Sequence, residues 1–292
     1  MSIILALLIF SVIVIVHELG HFLLAKYNGI TVTEFSVGMG PRLLSHEWRG
    51  TRYSLKILPF GGSCMMVGEE EESDEEGSFG SKSVWARISV VAAGPVFNFL
   101  LAFVLSVIIV ANIGYDDTVV DVTPGYPAAE AGMQDGDRIV RMGGSRTYVY
   151  REISLFNSLH QGQPAEVTYR RGEEEYTIRI TPVKDENGYY RYGFEKINVR
   201  TRGNVFTTAG YSLAELRYWL KATMESLLKL VQGQVELNDV SGPVGIVNAI
   251  GDTYEESRTD GWYYVALNMI IMSILLSVNL GVMNLLPIPA LD

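Results

Sequence analysis

The stretch that decides the fold is SVIVIVHELGHFLLAK, residues 11–26, which sets two histidines and a glutamate into an apolar helical pattern. No charged residue occurs in residues 1–16, 88–115 or 261–291. The last two stretches exceed the roughly 20 apolar residues that cross a bilayer as a helix. Charged residues make up 19% of the 292-residue chain, against about 25% in soluble domains. The sequence therefore excludes a wholly soluble globular protein.

The hydropathy pattern predicts three membrane helices. We place them at residues 2–25, 87–112 and 263–286. The first lacks the basic start and the small-residue cleavage site of a signal peptide. The loop 26–87 carries seven Lys and Arg residues, whereas the N-terminus carries none. The positive-inside rule therefore places this loop in the cytoplasm and residues 116–260 outside.

The cytoplasmic loop has two parts. Residues 31–61 alternate β-forming residues with Gly and Pro, which predicts short strands with turns at 38–41 and 49–50. A sheet lying against the membrane and an ordinary small cytoplasmic sheet are both compatible with this composition. Seven acidic residues follow in the run 69–76 and account for most of the net charge of −10. Such a run is typical of a solvated loop and argues against a nucleic-acid partner. The single cysteine, Cys64, excludes an internal disulfide.

The external region predicts a small domain followed by a helix. PAAEAGMQDGDRI, residues 127–139, indicates a short helix that Gly132 caps and then a turn into a strand. The predicted strands are 138–142, 165–170 and 176–181. Residues 207–233 have amphipathic helical spacing, and we expect that helix to lie on the outer membrane surface.

HELGH, residues 17–21, is the sharpest chemical signal in the chain. His17 and His21 lie on one helix face and can hold one metal ion, zinc being the ion that suits imidazole. Glu18 can then act as the general base on the water that the metal activates. Ionisable residues inside a membrane helix are functional candidates by default. The alternative is that they lie just beyond the membrane, but His17 falls roughly 22 Å along the helix, in the cytoplasmic third of the bilayer.

Two histidines leave a catalytic zinc one protein ligand short. Of the other histidines, His160 falls in the external domain and His46 reads as a surface residue. Asp292 is the better candidate because it follows the third helix, which runs in the same direction as the first. The spacing alone leaves open that Asp292 is simply a terminal residue.

The ordered motifs resemble those of the site-2 proteases, intramembrane zinc metalloproteases of peptidase family M50, in the bacterial branch with one PDZ domain. HELGH resembles the zinc-binding motif of that family's first core helix. FSVGMGPRL and ILPFGG resemble its membrane-associated β region, GPVFN its second core helix, PAAEAGMQDGDRI a bacterial PDZ domain, and SGPVGI a segment before the third helix. NLLPIPALD, residues 284–292, resembles the motif whose aspartate completes the zinc site. The family continues with a fourth membrane helix, so this chain is expected to lack it.

The resemblance implies roles for individual residues. The implied zinc ligands are His17, His21 and Asp292. Glu18 is the implied catalytic base, and Asn284 is implied to contact the substrate backbone, with helix capping as the plain alternative. We expect Gly94 and Pro95 to serve close helix packing and Asn98 to tie two helices together.

The expected fold class is a polytopic α-helical membrane protein with a membrane-associated β region and an inserted extracytoplasmic PDZ domain. The expected domains are a first membrane helix with HExxH (1–26), a cytoplasmic β region and acidic loop (27–86), a second membrane helix (87–114), a PDZ domain (115–200), an amphipathic helical linker (201–260) and a third membrane helix with NxxPxPxxD (261–292).

The resemblance implies regulated intramembrane proteolysis in the bacterial cytoplasmic membrane, with Zn²⁺ as cofactor. The substrate would be a pre-trimmed single-pass membrane protein, such as an anti-sigma factor, or a remnant signal peptide. Expected partners are that substrate, membrane lipid and a peptide ligand of the PDZ domain, which would filter or sense trimmed substrate ends. The alternative is a catalytically inactive membrane-anchored PDZ adaptor with a structural metal site. An intact Glu18 argues against it, because a structural site needs no base.

Overall fold

The computed structural model describes residues 2–69, 75–197, 200–234 and 242–286. The chain divides into two compact units. The membrane unit comprises Met1–Ser106 and Trp219–Asp292, and the inserted unit comprises Val107–Tyr218.

The described residues form seven helices and ten strands. The helices are α1 Ser2–Tyr27, α2 Val84–Ile113, α3 Pro127–Glu130, α4 Tyr150–Leu159, α5 Val205–Val231, α6 Pro243–Arg258 and α7 Trp262–Leu285. The strands are β1 Val32–Trp48, β2 Thr51–Met66, β3 Val120–Val122, β4 Arg138–Met142, β5 Ser145–Arg146, β6 Ala165–Arg171, β7 Glu174–Ile180, β8 Val183–Lys184, β9 Tyr190–Arg191 and β10 Phe194–Lys196.

Helices α1, α2 and α7 are the membrane spans. Each is long and apolar enough to cross a bilayer, so the three spans predicted from the hydropathy pattern are confirmed. Exposed aromatic residues lie at the ends of the spans, the depth at which a membrane-spanning helix meets the interface: Tyr27 ends α1, Trp85 is the second residue of α2 and Trp262 begins α7. Aromatic residues favour this depth because a ring has an apolar body and a polar edge.

Small residues bring α1 and α2 into close contact. A Cβ atom added to Gly20 would lie 2.5 Å from the carbonyl oxygen of Ala93, so only glycine permits this approach of the two backbones. Nearer its start, α1 packs against α6 and α7 through a buried apolar cluster. Its buried members are Ala6, Ile9, Ile13, Ile250 and Leu276.

Strands β1 and β2 form an antiparallel sheet next to α1. The hairpin turns at Arg49 and Gly50, both with positive φ, as the two-residue turn predicted there requires. The second predicted turn, at 38–41, is instead a bend inside a continuous β1, because Gly38 and Gly40 have φ of 84° and 86° and the pairing shifts register there. Exposed apolar side chains cover much of the sheet, which suits a membrane-associated region. They include Leu43, Leu44, Trp48, Ile57 and Leu58.

The register of this sheet leaves two outer edges among the described residues, one at residues 42–48 and the other at residues 62–66. Phe35 on β1 lies opposite both Cys64 and Tyr53 of β2, so residues 34–37 are flanked by two parts of β2. Residues 62–66 therefore form an outer edge, and no other described strand pairs with them.

The inserted unit contains a four-stranded sheet in the order β5-β4-β6-β7 and two smaller pairs, β3 with β10 and β8 with β9. Strand β4 has the predicted bounds, and the short helix α3 before it ends at Glu130, two residues before Gly132, whose φ is 91°. Helix α4 was not predicted. It is buried on one face through Ile153, and Glu152 in its first turn accepts hydrogen bonds from the backbone N–H groups of Tyr148 and Val149.

Helix α5 is confirmed as a helix, and its second half contacts α7. Thr223 Oγ1 lies 2.6 Å from Asn279 Oδ1 on α7. Asn279 lies roughly 25 Å from the start of α7 at 1.5 Å per residue. The physical reason is that each side chain needs a polar partner where the surroundings are apolar. Helix α6, also not predicted as a separate element, buries Ile250 and Tyr254.

Candidate active site

The two histidines of HELGH face each other on α1. Their Nε2 atoms lie 3.1 Å apart, and the ring planes are inclined at 76°. His17 is 3% exposed. The four-residue spacing on one helix face is what brings the two rings together, as predicted.

The backbone of α2 fixes the tautomer of His21. Its Nδ1 lies 2.8 Å from the carbonyl oxygen of Val90, and a carbonyl can only accept, so Nδ1 carries the proton. The lone pair of His21 is therefore on Nε2, the atom that faces His17. A donated Nδ1–H of this kind is the usual support of a metal-binding histidine.

The residues present fit a zinc ion. Two nitrogen ligands at 2.0–2.1 Å from a tetrahedral zinc are about 3.3 Å apart, close to the 3.1 Å observed between the Nε2 atoms. Beside them, Gly94 of α2 leaves a space that a side chain would fill. A Cβ atom there would lie 2.4 Å from His21 Nε2 and 2.6 Å from His17 Nε2.

The third predicted zinc ligand, Asp292, lies outside the described residues. Within those residues, no set of three His, Cys, Asp or Glu side chains could hold a metal. His46 is exposed on β1, and His160 ends α4 in the inserted unit, so neither joins the pair on α1.

Glu18 lies beside the outer edge of the β sheet at residues 62–66. A Cβ atom added to Gly62 would be 3.3 Å from Glu18 Cγ and 3.9 Å from Val14 Cγ1. The glycine therefore lets the edge strand lie directly against the turn of α1 that carries the predicted base.

Cys64, two residues further along this edge, is buried against α1 and α2. Burial, reinforced by the negative charges of Glu18 and Glu69, raises the pKa of its thiol to about 12.

Helices α2 and α7 each bring an asparagine to His17. Asn284 Nδ2 lies 3.2 Å from His17 Nε2, which places this predicted site residue next to the two histidines. Asn98 is fully buried, and its Nδ2 lies 3.1 Å from His17 Nδ1. Ser277 of α7 donates to the backbone carbonyl of Asn98 at 2.9 Å.

Sequence reasoning assigned two of these residues too modest a role. Gly94 and Asn98 were expected to serve helix packing, whereas Gly94 lines the space between the histidines and Asn98 contacts one of them. The four-residue spacing of Gly94 and Asn98 could have indicated a common role, because residues four apart on α2 lie on the same face. The sequence does not show that this face of α2 packs against the histidines of α1.

Comparison with known proteins identifies the family. The Peptidase family M50 profile matches residues 5–292. The chain belongs to peptidase family M50. It is accordingly a zinc metalloprotease and a multi-pass membrane protein, and zinc is its cofactor.

Several M50 relatives are similar over the whole chain. A Clostridium perfringens protein whose name assigns it provisionally to the zinc metalloproteases is 36% identical, covering 100% of this chain and 85% of its own length. The zinc metalloprotease RasP of Geobacillus kaustophilus is 28% identical, covering 100% of this chain and 87% of its own. The regulator of sigma-W protease RasP of Bacillus subtilis is 29% identical, covering 98% and 86%. Among solved structures, the PDZ domain of an SdrC-like protein from Listeria monocytogenes covers 30% of this chain and 94% of its own, at 21% identity and a TM-score of 0.25.

Proposed function

We propose that this M50 zinc metalloprotease hydrolyses a peptide bond within the membrane-spanning segment of a single-pass protein. The proposed zinc ligands are His17, His21 and Asp292, with Glu18 as the base. The observation that carries the proposal is the pair of Nε2 atoms facing each other at 3.1 Å inside a membrane helix, with Glu18 on the same turn.

Bound zinc supplies a Lewis acid that polarises the scissile carbonyl and lowers the pKa of water to about 7. The chain's own residues do the rest. The Glu18 carboxylate takes the proton from the attacking water and delivers it to the amide nitrogen as the C–N bond breaks, so the carboxylate is restored after each turnover. Apolar spans around the site keep bulk water out and strengthen these charge interactions.

The edge at residues 62–66 suits an extended substrate. A membrane helix hides its amides in its own hydrogen bonds, so it must unwind before hydrolysis, and an unwound backbone needs new partners in an apolar setting. Addition to an open sheet edge supplies them. Gly62 places that edge next to Glu18, which would bring the substrate backbone to the base.

Asn284 is the proposed orienting group for that backbone. Its Nδ2 is a donor that lies 3.2 Å from His17 Nε2, within reach of a carbonyl oxygen entering the site. Donation to the carbonyl would hold the scissile bond in place and stabilise the charge that develops on its oxygen.

The proposed substrates are pre-trimmed single-pass proteins, including anti-sigma factors, or remnant signal peptides. The support is the 29% identical Bacillus subtilis relative, which is named a regulator of sigma-W protease.

For orientation in the membrane, the proposal is that the end of α1 and the β region lie on the cytoplasmic side and the inserted unit outside. The support is the basic content of residues 26–87.

The inserted unit is the proposed PDZ module that senses trimmed substrate ends. It contains a cavity of about 910 Å³ bounded by α4 and residues 188–196. Tyrosines such as Tyr150 and Tyr190 and cations such as Arg151 line this cavity, which offers both stacking surface and hydrogen-bond donors to a peptide.

The test of the proposed function is Glu18→Gln in the full chain, with a transmembrane reporter substrate and a zinc assay. Glutamine keeps the shape but cannot take a proton, so we expect zinc to be retained and cleavage to fall by about 10²–10⁴-fold. Glu47→Gln, at an exposed position on β1, is the matched control and should cleave normally. Undiminished cleavage by Glu18→Gln would remove Glu18 as the base, and a wild-type chain that binds no zinc would overturn the whole assignment.

A further inference from the structure

The two amide contacts of His17 cannot both be hydrogen bonds donated to the ring, and this points to a role for Asn98. Asn98 Nδ2 faces His17 Nδ1 at 3.1 Å, while Asn284 Nδ2 faces His17 Nε2 at 3.2 Å. An amide nitrogen can only donate, and a neutral imidazole has one acceptor nitrogen. Both amides therefore cannot donate to the ring at once, so one of them must present its oxygen instead.

The chemistry of metal binding decides which amide turns. A histidine that offers Nε2 to a metal carries its proton on Nδ1, and that N–H needs an acceptor. The only atoms that Asn98 can bring to this position are Nδ2 and, after a half-turn about the Cβ–Cγ bond, Oδ1. That torsion is roughly two-fold, so the exchange needs little rearrangement of the packing.

The surroundings of Asn98 support this exchange. The side chain is fully buried, and its Oδ1 has no hydrogen-bond partner among the described residues. An unpartnered amide oxygen in an apolar interior is costly. The Ser277 hydroxyl donates a hydrogen bond to the backbone carbonyl of Asn98. This bond holds the backbone in place, so the Asn98 side chain stays beside His17.

We propose that Asn98 is a positioning residue that accepts a hydrogen bond from His17 Nδ1 through Oδ1 and so holds His17 in its metal-binding tautomer. This rests on the proposed zinc ligation by His17. Together with the Val90 carbonyl, which performs the same task for His21, Asn98 makes α2 the element that sets the tautomers of both histidines. Within the motif GPVFN, residues 94–98, Gly94 then leaves space beside the two histidines and Asn98 supplies the hydrogen-bond acceptor for His17 Nδ1.

The test compares Asn98→Asp with Asn98→Leu in the full-length chain, purified in detergent, with zinc affinity measured by competition against a chelator. Aspartate has nearly the same shape as asparagine but can only accept, whereas leucine fills similar space and can do neither. We expect Asn98→Asp to bind zinc at least as tightly as wild type and Asn98→Leu to bind about 10–100-fold more weakly. Ser106→Ala, which changes another buried polar residue of α2, is the control and should leave the affinity unchanged.

A second readout follows the tautomer itself. In the zinc-loaded protein, the ring nitrogen resonances of His17 should show a protonated Nδ1 in wild type and in Asn98→Asp. Wild-type affinity in Asn98→Leu, or a loss above tenfold in Asn98→Asp, would overturn the inference. Should Asn98→Leu fail to fold, Asn98→Asp decides alone, because a donor role for Asn98 requires it to weaken binding. If wild type binds zinc and cleaves while Asn98→Leu also binds zinc with wild-type affinity, the inference fails and the proposed function stands. If wild type binds no zinc, the proposed function fails.

Discussion

At the scale of single residues, the site depends on glycines as much as on ionisable groups. Gly20 lets α2 approach α1, Gly94 leaves space beside the histidines, and Gly62 lets the sheet edge reach Glu18. Each is a position where a side chain would meet backbone or a functional atom. The arrangement of the two histidines and Glu18 therefore requires neighbouring positions without a side chain.

Gly94→Ala tests this at the histidine pair. The new methyl group would lie 2.4 Å from His21 Nε2, so the ring or the helix must shift. Overpacking of this kind costs about 1–3 kcal/mol, and we expect zinc affinity to fall roughly tenfold or more. The measurement is chelator competition, with Gly210→Ala on α5, where a Cβ meets nothing within 4 Å, as control. Equal affinities for Gly94→Ala and wild type would show that the space is not needed.

At the scale of elements, an ion pair spans the bend in strand β1 of the β1–β2 sheet. Arg42, beyond the bend at 38–41, donates to both carboxylate oxygens of Glu34, at 2.8 and 2.9 Å. Glu34 is 5% exposed, and the guanidinium of Arg42 is the main reason that the pKa of its carboxyl falls to about 2. The pair therefore ties the two arms of β1 together across the glycines.

Glu34→Gln should remove a defined part of the pH dependence of stability. Because the folded-state pKa of Glu34 is lowered, its contribution is present above the unfolded value near 4.5 and is lost as the pH falls towards about 2. We expect wild type to lose more stability than Glu34→Gln between these limits, as measured by denaturant unfolding of the purified protein. Parallel curves for the two proteins would show that the ion pair contributes nothing.

The outer edge of the same sheet at residues 62–66 gives a second prediction. Gly62→Val would push a side chain against Glu18 Cγ and the carbonyl oxygen of Ser36, at 3.3 and 3.0 Å from the first added atom. We expect the strand to move from α1 and cleavage of a transmembrane reporter to fall at least about tenfold, the effect of misplacing a substrate by an ångström or so. Zinc affinity should stay unchanged. Gly80→Ala, at an open position, is the control; normal cleavage by Gly62→Val would exclude the edge from substrate binding.

At the scale of the whole molecule, the division into two units predicts where zinc acts. Val90, Gly94, Asn98 and Asn284, which lie at the histidine pair, belong to the membrane unit. The inserted unit has a hydrophobic core of its own around Ile139, Met142 and Val167. A ligand that binds only the folded state stabilises the unit that contains its site.

Zinc removal should therefore lower the thermal stability of the membrane unit selectively. At zinc concentrations 100 times the dissociation constant, the expected stabilisation is about 2.7 kcal/mol. Differential scanning calorimetry of the full chain with zinc and with a chelator measures it, and His21→Ala should abolish the difference. A shift confined to the inserted unit, or one that persists in His21→Ala, would place the zinc elsewhere.

The sequence by itself determined the three spans, the hairpin turn at 49–50, strand β4 and the pairing of His17 with His21. These follow from local rules: apolar length, turn chemistry and the periodicity of a helix. Helix α4 was missed because its burial depends on the rest of the inserted unit, and the contact of α5 with α7 was missed because Thr223 finds its partner 56 residues away. Only the tertiary structure decided which face of α2 meets α1. That face places Val90, Gly94 and Asn98 around the histidines. A single helix sequence fixes which residues share a face, but the packing of three spans fixes what that face meets.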